Sequence, residues 1–252
     1  MLAFDRQKRI LELMQDAESV RTVEVASVLD VTDETIRKDF EAMERRGELI
    51  RIHGGATRAQ RIRESIPLTR RQEISRTEKQ AIAIEAAKRI QANETIFLDA
   101  SSTTLTLARF LPNVPLTVLT NAHDVFAVLG DRANVDLICT GGRYDAASRS
   151  YIGLLAERAL RRYDIHRVFF SGDAVHIERG VSESNSRQAA FKERVVEQAG
   201  DVVLLADHTK LGQKAPFFFA QTNQISLLIT DAAADEEFLQ LYREHDVEVI
   251  LA

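Results

Sequence analysis

The sequence predicts an α/β protein in two parts, a small helical domain closed by a hairpin and a larger, mostly parallel α/β domain. Three observations predict it. Between Thr22 and Ala56, two short amphipathic runs flank a polar turn and end in Gly54-Gly55. From Thr77 onward, strands of about five apolar residues alternate with helical patterns down to Leu251. Hydrophobic residues make up 45% of the 252, ample for a core in each part.

In chain order, Phe4 to Met14 reads as a helix, with Ile10, Leu11 and Met14 on one side. Arg6, Lys8 and Arg9 are left for solvent or a DNA backbone. Val25, Val28 and Leu29 give a second helix its apolar face. Ile36, Phe40 and Met43, at i, i+4 and i+7, do the same for a third. Thr32 can cap that third helix, and Asp33 and Glu34 fall in its first turn, where the helix dipole favours anions. Leu49 to His53, then two glycines, read as a β-wing. A winged helix-turn-helix lays its second motif helix in a DNA major groove. Thr32, Glu34, Thr35, Arg37 and Lys38 then face DNA, with Thr35, Arg37 and Lys38 as readers. Arg51, His53 and Gly54 form the backbone grip.

This domain is expected over 1–57. Residues 58–76 are polar, with four arginines between Arg61 and Arg71 and one Pro67, and read as a linker to a second domain over 77–252.

Net charge is −5, which excludes a protein coated in basic residues. From Arg37 to Arg63, however, eight basic residues face four acidic ones, a local surplus of +4 where phosphates would lie. Cys139 is the only cysteine, which excludes a disulfide framework and a cysteine-rich zinc finger. Its apolar setting, VDLICT, reads as an inert core thiol. The six histidines include no i, i+4 pair, so neither a metal nor another cofactor is expected. No apolar run approaches the ~20 residues of a membrane span and no signal peptide is evident, so a cytoplasmic protein is expected.

In the second domain a helix capped by Thr77 reaches about Gln91, with Ile82, Ala86 and Ile90 on one face. There follow strand Thr95–Asp99, helix Leu105–Leu111, strand Leu116–Thr120, a helix around Asp124–Leu129 and strand Val135–Thr140. Helix Leu154–Arg162, strand Arg167–Ser171, helix Ser186–Ala199 and strand Val202–Ala206 come next. A short extended Phe217–Phe219, strand Ile225–Thr230, helix Asp235–Glu244 and strand Val247–Leu251 close the chain.

Open α/β sheets bind ligands beyond the carboxyl ends of their strands. The first such loop is Asp99-Ala100-Ser101-Ser102-Thr103-Thr104, four consecutive hydroxyls at a helix start. An ordinary cap needs one hydroxyl. Four, with free amides and the helix dipole, suit a phosphate. In the second loop, Asp207 to Gly212, Asp207 and Lys210 could pair locally. Alternatively Lys210 could reach a phosphate while Asp207 accepts a sugar hydroxyl. His208 lies in the same loop. The third is Ser171-Gly172-Asp173. Lys192, on a helix face shared with Gln188, reads by itself as a surface lysine.

The strings V-T-D-E-T-I-R-K-D-F and R-I-H-G-G-A closely resemble the N-terminal domain of the DeoR family of bacterial transcription regulators, V-S-x-x-T-I-R-R-D-L and R-x-H-G-G-A. Thr32 keeps the capping hydroxyl of the usual Ser. Lys38 keeps the usual charge but would lose a bidentate fork to guanine. The second domain is similar to that family's sugar-phosphate sensor, related in fold to ribose-5-phosphate isomerase. D-x-G-T-T-T corresponds to Asp99–Thr104, T-N to Thr120-Asn121, G-G to Gly141-Gly142 and the strand-end glycine to Gly172. E-A-x-x-K corresponds to Gln188 through Lys192, and D-x-x-K-x-G to Asp207–Gly212. The resemblance implies effector contacts from Asp99, Ala100, Ser101, Ser102, Thr103, Thr104, Asn121, Gly142, Gly172, Asp173, Lys192, Asp207 and Lys210. Ser101 stands where the family has Gly, so the backbone there either avoids positive φ or lies farther from the ligand. Gln188 stands where it has Glu. D-A-S-S-T is similar to fucose-operon regulators, which points to a 6-deoxyketose 1-phosphate.

The function implied is a DNA-binding repressor of a carbohydrate catabolic operon, switched by a phosphorylated sugar and assembled as a homo-oligomer, dimer or tetramer, on double-stranded operator DNA. The alternative is a sugar-phosphate isomerase carrying a DNA-binding domain. Isomerisation needs a carboxylate base, and Asp99, Asp173 and Asp207 could serve. Position 188 offers none.

Overall fold

In the computed structural model, residues 3–14, 19–45, 48–52, 54–58 and 68–252 are described. The chain divides into two units, Met1–Ile66 and Pro67–Ala252. The first contains α1 (Ala3–Leu13), β1 (Ser19–Arg21), α2 (Thr22–Leu29), α3 (Asp33–Arg45), β2 (Leu49–Ile52) and β3 (Gly55–Arg58).

Apolar stripes from three helices meet in one core: Ile10 and Met14, then Val25, Ala26 and Leu29, then Ile36, Phe40 and Met43. Val28 is a correction. It is exposed, because it sits roughly 100° round the helix from the centre of the Thr22–Val25–Ala26–Leu29 stripe. Arg6 is another. It does not wait for DNA but bonds Asp39, Nη2 to Oδ1 at 3.1 Å, while Gln7 donates to the same oxygen at 2.9 Å. Asp39 is buried, so the pair fastens α1 to α3.

The wing is a three-stranded sheet in the order β1-β3-β2, antiparallel throughout. The three residues of β1 are too few to show alternation in sequence. The two glycines have different duties. Gly54 takes φ +79°, a left-handed turn open to any glycine. Gly55 lies so close to β1 that an added Cβ would fall 2.1 Å from the Val20 carbonyl oxygen. His53 lies outside the described residues.

The second unit begins with α4 (Leu68–Glu73), inside the stretch read as linker, and α5 (Arg76–Ala87). Helix α5 starts after Ser75, which is in left-handed conformation with no side-chain cap bond, so Thr77 is not its cap. Then come β4 (Thr95–Leu98), α6 (Ser102–Phe110), β5 (Leu116–Thr120), α7 (His123–Leu129), β6 (Val135–Cys139), β7 (Arg143–Asp145), β8 (Ser150–Ile152), α8 (Leu154–Leu160) and β9 (Ile165–Phe170). The chain continues through β10 (Ala174–His176), β11 (Gly180–Glu183), α9 (Ser186–Val196), β12 (Ala199–Leu205), β13 (Phe217–Ala220), β14 (Leu227–Thr230), α10 (Glu236–Glu244) and β15 (Glu248–Leu251).

Seven strands form a sheet in the order β15-β14-β12-β9-β4-β5-β6, every pair parallel. Alternation sends Ile96 and Leu98 to one face, under Ile82, Leu105 and Leu129, and Phe97 to the other, with Phe191, Leu160 and Tyr242. Helices therefore cover both faces. The β7–β8 hairpin and the β10–β11 hairpin that pairs with β13, the extended stretch read at Phe217–Phe219, are additions that sequence patterning missed, since strands of three or four partly polar residues carry no period. Cys139 is only partly buried on edge strand β6, not a core thiol. Among the described residues no helix is long and apolar enough to cross a membrane.

Gly55→Ala should cost the N-terminal unit about 1–3 kcal/mol, the range for forced overpacking. Thermal melts followed by hydrogen exchange should show β1–β3 amides losing protection while those of β4 and β9 do not change.

Candidate functional site

Two faces carry the predicted site residues. On α3, Glu34, Arg37 and Lys38 are exposed and Thr35 half-buried, all on the side away from Ile36, Phe40 and Met43. Thr32 Oγ1 accepts from the Thr35 amide at 3.3 Å, the predicted cap, and its hydroxyl lies 2.9 Å from that of Thr35. Arg37 Nη1 lies 3.9 Å from Glu34, with both side chains about two-thirds in water. Arg51 is held from behind: Glu44 on α3 accepts from its Nε at 2.7 Å and its backbone amide at 2.9 Å, and this bonding raises the Arg51 pKa. The wing is thereby fastened to the helix it flanks.

The second site follows from the parallel sheet. Because β14, β12, β9, β4 and β5 are adjacent and parallel, Asp231, Asp207, Ser171, Asp99 and Asn121 all come off the same edge. Asp99 is buried and fully committed. Its Oδ1 accepts from the Ser101 amide at 3.1 Å and Thr104 Oγ1 at 2.7 Å; its Oδ2 accepts from the Ser171 amide at 3.2 Å. Lys192 is not a surface lysine. It is 4% exposed and its Nζ lies 2.8 Å from Asp99 Oδ2, 2.6 Å from the Ser171 carbonyl oxygen, and against Glu183.

Ser171 also receives Lys210, Nζ to Oγ at 2.8 Å; the Lys210–Asp207 pair stands at 3.8 Å. Asp207 caps the His208–Lys210 turn by accepting from the Thr209 amide. His208 bonds Asp231 through Nδ1 at 2.8 Å and its amide at 2.7 Å. Asp173 accepts from the Ser184 amide at 3.0 Å and faces Arg71 at 3.8 Å.

The four hydroxyls divide. Ser101 is an extended N-cap at φ −108° that bonds the Thr104 amide, so the backbone there avoids positive φ, and Thr104 is spent on Asp99. Thr103 Oγ1 is buried with no partner among the described residues, as is Asn121 Oδ1, while Asn121 Nδ2 bonds the Tyr151 carbonyl. Ala100 and Ser102 are buried beside them. Gly142, at φ +110°, lets the turn after β6 pack on Ile152 and Ala156. Gly172 is needed for space, since a Cβ would meet Val181 at 2.4 Å.

Three residues escaped the sequence reading. Glu183, from β11, is the second carboxylate beside Lys192, after Asp99. Gln188 instead bonds Ser148 and Ser150, at 2.9 and 2.6 Å. Arg71 was buried in a polar stretch, and Asp231 sits at the end of a strand with no motif. Burial pushes the Glu183 carboxyl up to about 7; Asp173 adds to the shift while Lys192 and Arg71 oppose it. Burial works against the Lys192 ammonium, yet Asp99 and Glu183 outweigh it and hold its pKa up.

Comparison with known proteins accounts for nearly the whole chain. Residues 6–61 match the DeoR-like helix-turn-helix domain and residues 74–232 the DeoR C terminal sensor domain. The chain belongs to the DeoR family. It is an HTH-type transcriptional regulator by that membership. The uncharacterized HTH-type transcriptional regulator YulB of Bacillus subtilis is 36% identical over 249 residues, 99% of this chain and 96% of that one. The L-fucose operon activator of Haemophilus influenzae is 30% identical, covering 98% and 99%. Ribose 5-phosphate isomerase A of Methanocaldococcus jannaschii is 18% identical, with TM-score 0.42 over 54% of this chain and 55% of that one. A likeness that slight adds nothing to the fold read from the strand order itself.

Lys192→Met should destabilise the sensor unit by about 3–5 kcal/mol in urea melts, because two buried carboxylates lose their cation. The raised Glu183 pKa means the folded state binds more protons than the unfolded one between pH 4.5 and about 7. Stability from this group is therefore present below pH 4.5 and lost as pH rises to about 7. Glu183→Gln should flatten the stability–pH curve across that window; an unchanged slope would assign the proton elsewhere.

Proposed function

We propose that this DeoR-family regulator represses a carbohydrate catabolic operon in the bacterial cytoplasm and releases it when a phosphorylated sugar binds its sensor domain. Thr35, Arg37 and Lys38 read bases, Glu34 faces the groove beside Arg37, and Thr32, Arg51 and the Gly54 turn, with His53 from the sequence motif, set backbone register. A homo-oligomer, dimer or tetramer, pairs two recognition helices on a repeated operator.

The observation that carries the effector reading is the pair of buried polar atoms without a partner among the described residues, the Thr103 hydroxyl, which can donate or accept, and the acceptor Asn121 Oδ1, on the edge where Lys210 emerges. Buried polar atoms without partners are rare, and these cluster where parallel sheets take ligands. Thr103, Asn121, Ser102 and the loop backbone at Ala100 contact the ligand; Lys210 answers its phosphate and Asp207 a sugar hydroxyl. Gly142, Gly172 and Asp173 shape the rim. Lys192, with its donors committed to Asp99, Glu183 and Ser171, sets the site rather than touching the ligand. The D-A-S-S-T loop is the support for a 6-deoxyketose 1-phosphate as first candidate, and a relative named as an L-fucose operon activator is in keeping with it.

A thermal-shift panel of sugar phosphates tests this. An effector at ~100 times its Kd should add about 2.7 kcal/mol to native stability, and no shift with any member sinks the reading. Lys210→Ala and Thr103→Ala should keep operator affinity and lose the effector response. Arg37→Ala should weaken operator binding more than non-specific binding, by about 1–3 kcal/mol against the cognate site. Sustained conversion of a sugar phosphate, followed by NMR, would favour the isomerase reading instead.

A further inference from the structure

The strand end Ser171–Asp173 gathers three cations, and the third arrives from an unexpected element. Lys192 and Lys210 reach Ser171 from α9 and the turn after β12. Arg71 reaches Asp173 from α4, with Nη1 3.8 Å from Oδ1. That separation is long for a charge-assisted hydrogen bond. Arg71 Nε is buried and has no hydrogen-bond partner among the described residues. A guanidinium keeps its proton and its five donors at any ordinary pH, so a buried, unmet N–H is costly until an acceptor arrives.

The backbone of the same residue is firmly held. Lys79, itself buried, donates to the carbonyls of Arg71 at 2.7 Å and Ile74 at 2.5 Å, closing the end of α4 against α5. Helix α4 is also the first described element after 59–67, the stretch of chain that arrives from the DNA-binding unit. Arg71 therefore joins the ligand edge, through its side chain, to the point where the sensor unit begins.

We propose that Arg71 is an effector-binding residue whose planar fork grips the anionic group of the ligand, so that α4 registers occupancy of the site. The proposal rests on the reading that this domain takes a phosphorylated sugar. The loose pair with Asp173 is its resting state, which holds the fork at the site without satisfying it. Phosphate oxygens match the fork in a two-pronged contact that a lysine cannot reproduce.

Full-length wild type, Arg71→Lys and Arg71→Gln test it. Each is titrated by calorimetry with the sugar phosphate that most stabilises wild type, and operator affinity is measured without and with that ligand at saturation. Arg71→Lys keeps the charge beside Asp173 and should bind ligand about 10-fold weaker; Arg71→Gln should be weaker still. Both should match wild type on operator without ligand and show a reduced ligand-induced change at saturation. Ligand affinity within about twofold of wild type in both variants overturns the proposal, as does a full response at saturation. Loss of operator affinity by both variants without ligand makes Arg71 structural and also overturns it. A wild type that binds no sugar phosphate defeats the parent reading and this one together, before any substitution is made.

Discussion

The sensor domain is arranged around the buried contact of Lys192 with Asp99 and Glu183. An ammonium has three protons, and here they go to Asp99, Glu183 and the Ser171 carbonyl. Those acceptors stand at the ends of β4, β11 and β9. Asp99 in turn fixes the first turn of α6 through Ser101 and Thr104, and the Ser171 amide through Oδ2. One cation thus sets the relative position of three strand ends and a helix start. Buried ion pairs seldom add net stability over an apolar replacement, but they penalise any arrangement that separates their members. The contact works as a positional constraint, and the carboxyl-end edge of the sheet inherits its geometry.

The DNA-binding unit uses the same device at smaller scale. Asp39 is buried on the inner side of α3 and answered by Arg6 and Gln7 from α1. Glu44, near the end of α3, holds Arg51 by side chain and backbone together. Both contacts fix what α3 packs against, leaving its outer side to Glu34, Arg37 and Lys38. The Arg37–Glu34 pair is mostly hydrated, and such pairs cost little to exchange for a phosphate or a base.

The sequence was readable wherever one periodicity governed. Ile36, Phe40 and Met43 declared α3, and Thr95–Leu98 or Leu116–Thr120 declared strands buried on both faces. The loops beyond those strands were legible because a parallel sheet puts every carboxyl end on one edge. Val28 was misread because an eight-residue helix needs only one narrow stripe, and Val28 falls beside it. The hairpins β7–β8 and β10–β11 were missed because three residues carry no alternation. Glu183 and Arg71 were invisible for a different reason. Each is a charged residue in polar company, and only the tertiary fold brings them to Lys192 and Asp173. Lys192 was read as solvent-facing because most lysines are, and its partners come from other elements, Asp99 from the end of β4 and Glu183 from β11, so its own helix pattern does not show them.

The same geometry separates a fully committed cation from two that are loosely held. Lys192 is 4% exposed and bound to two carboxylates, so recruiting it would break contacts worth several kcal/mol. Lys210 is 14% exposed and donates to a neutral hydroxyl, and Arg71 is 22% exposed with its carboxylate at 3.8 Å. A regulatory coupling of about 1–3 kcal/mol is too small to remake the Lys192 contact and large enough to redirect the other two. A domain that must keep its shape while reporting occupancy needs both kinds of cation. Here they meet on one strand end, with Lys192 on the Ser171 carbonyl, Lys210 on the Ser171 hydroxyl and Arg71 facing Asp173.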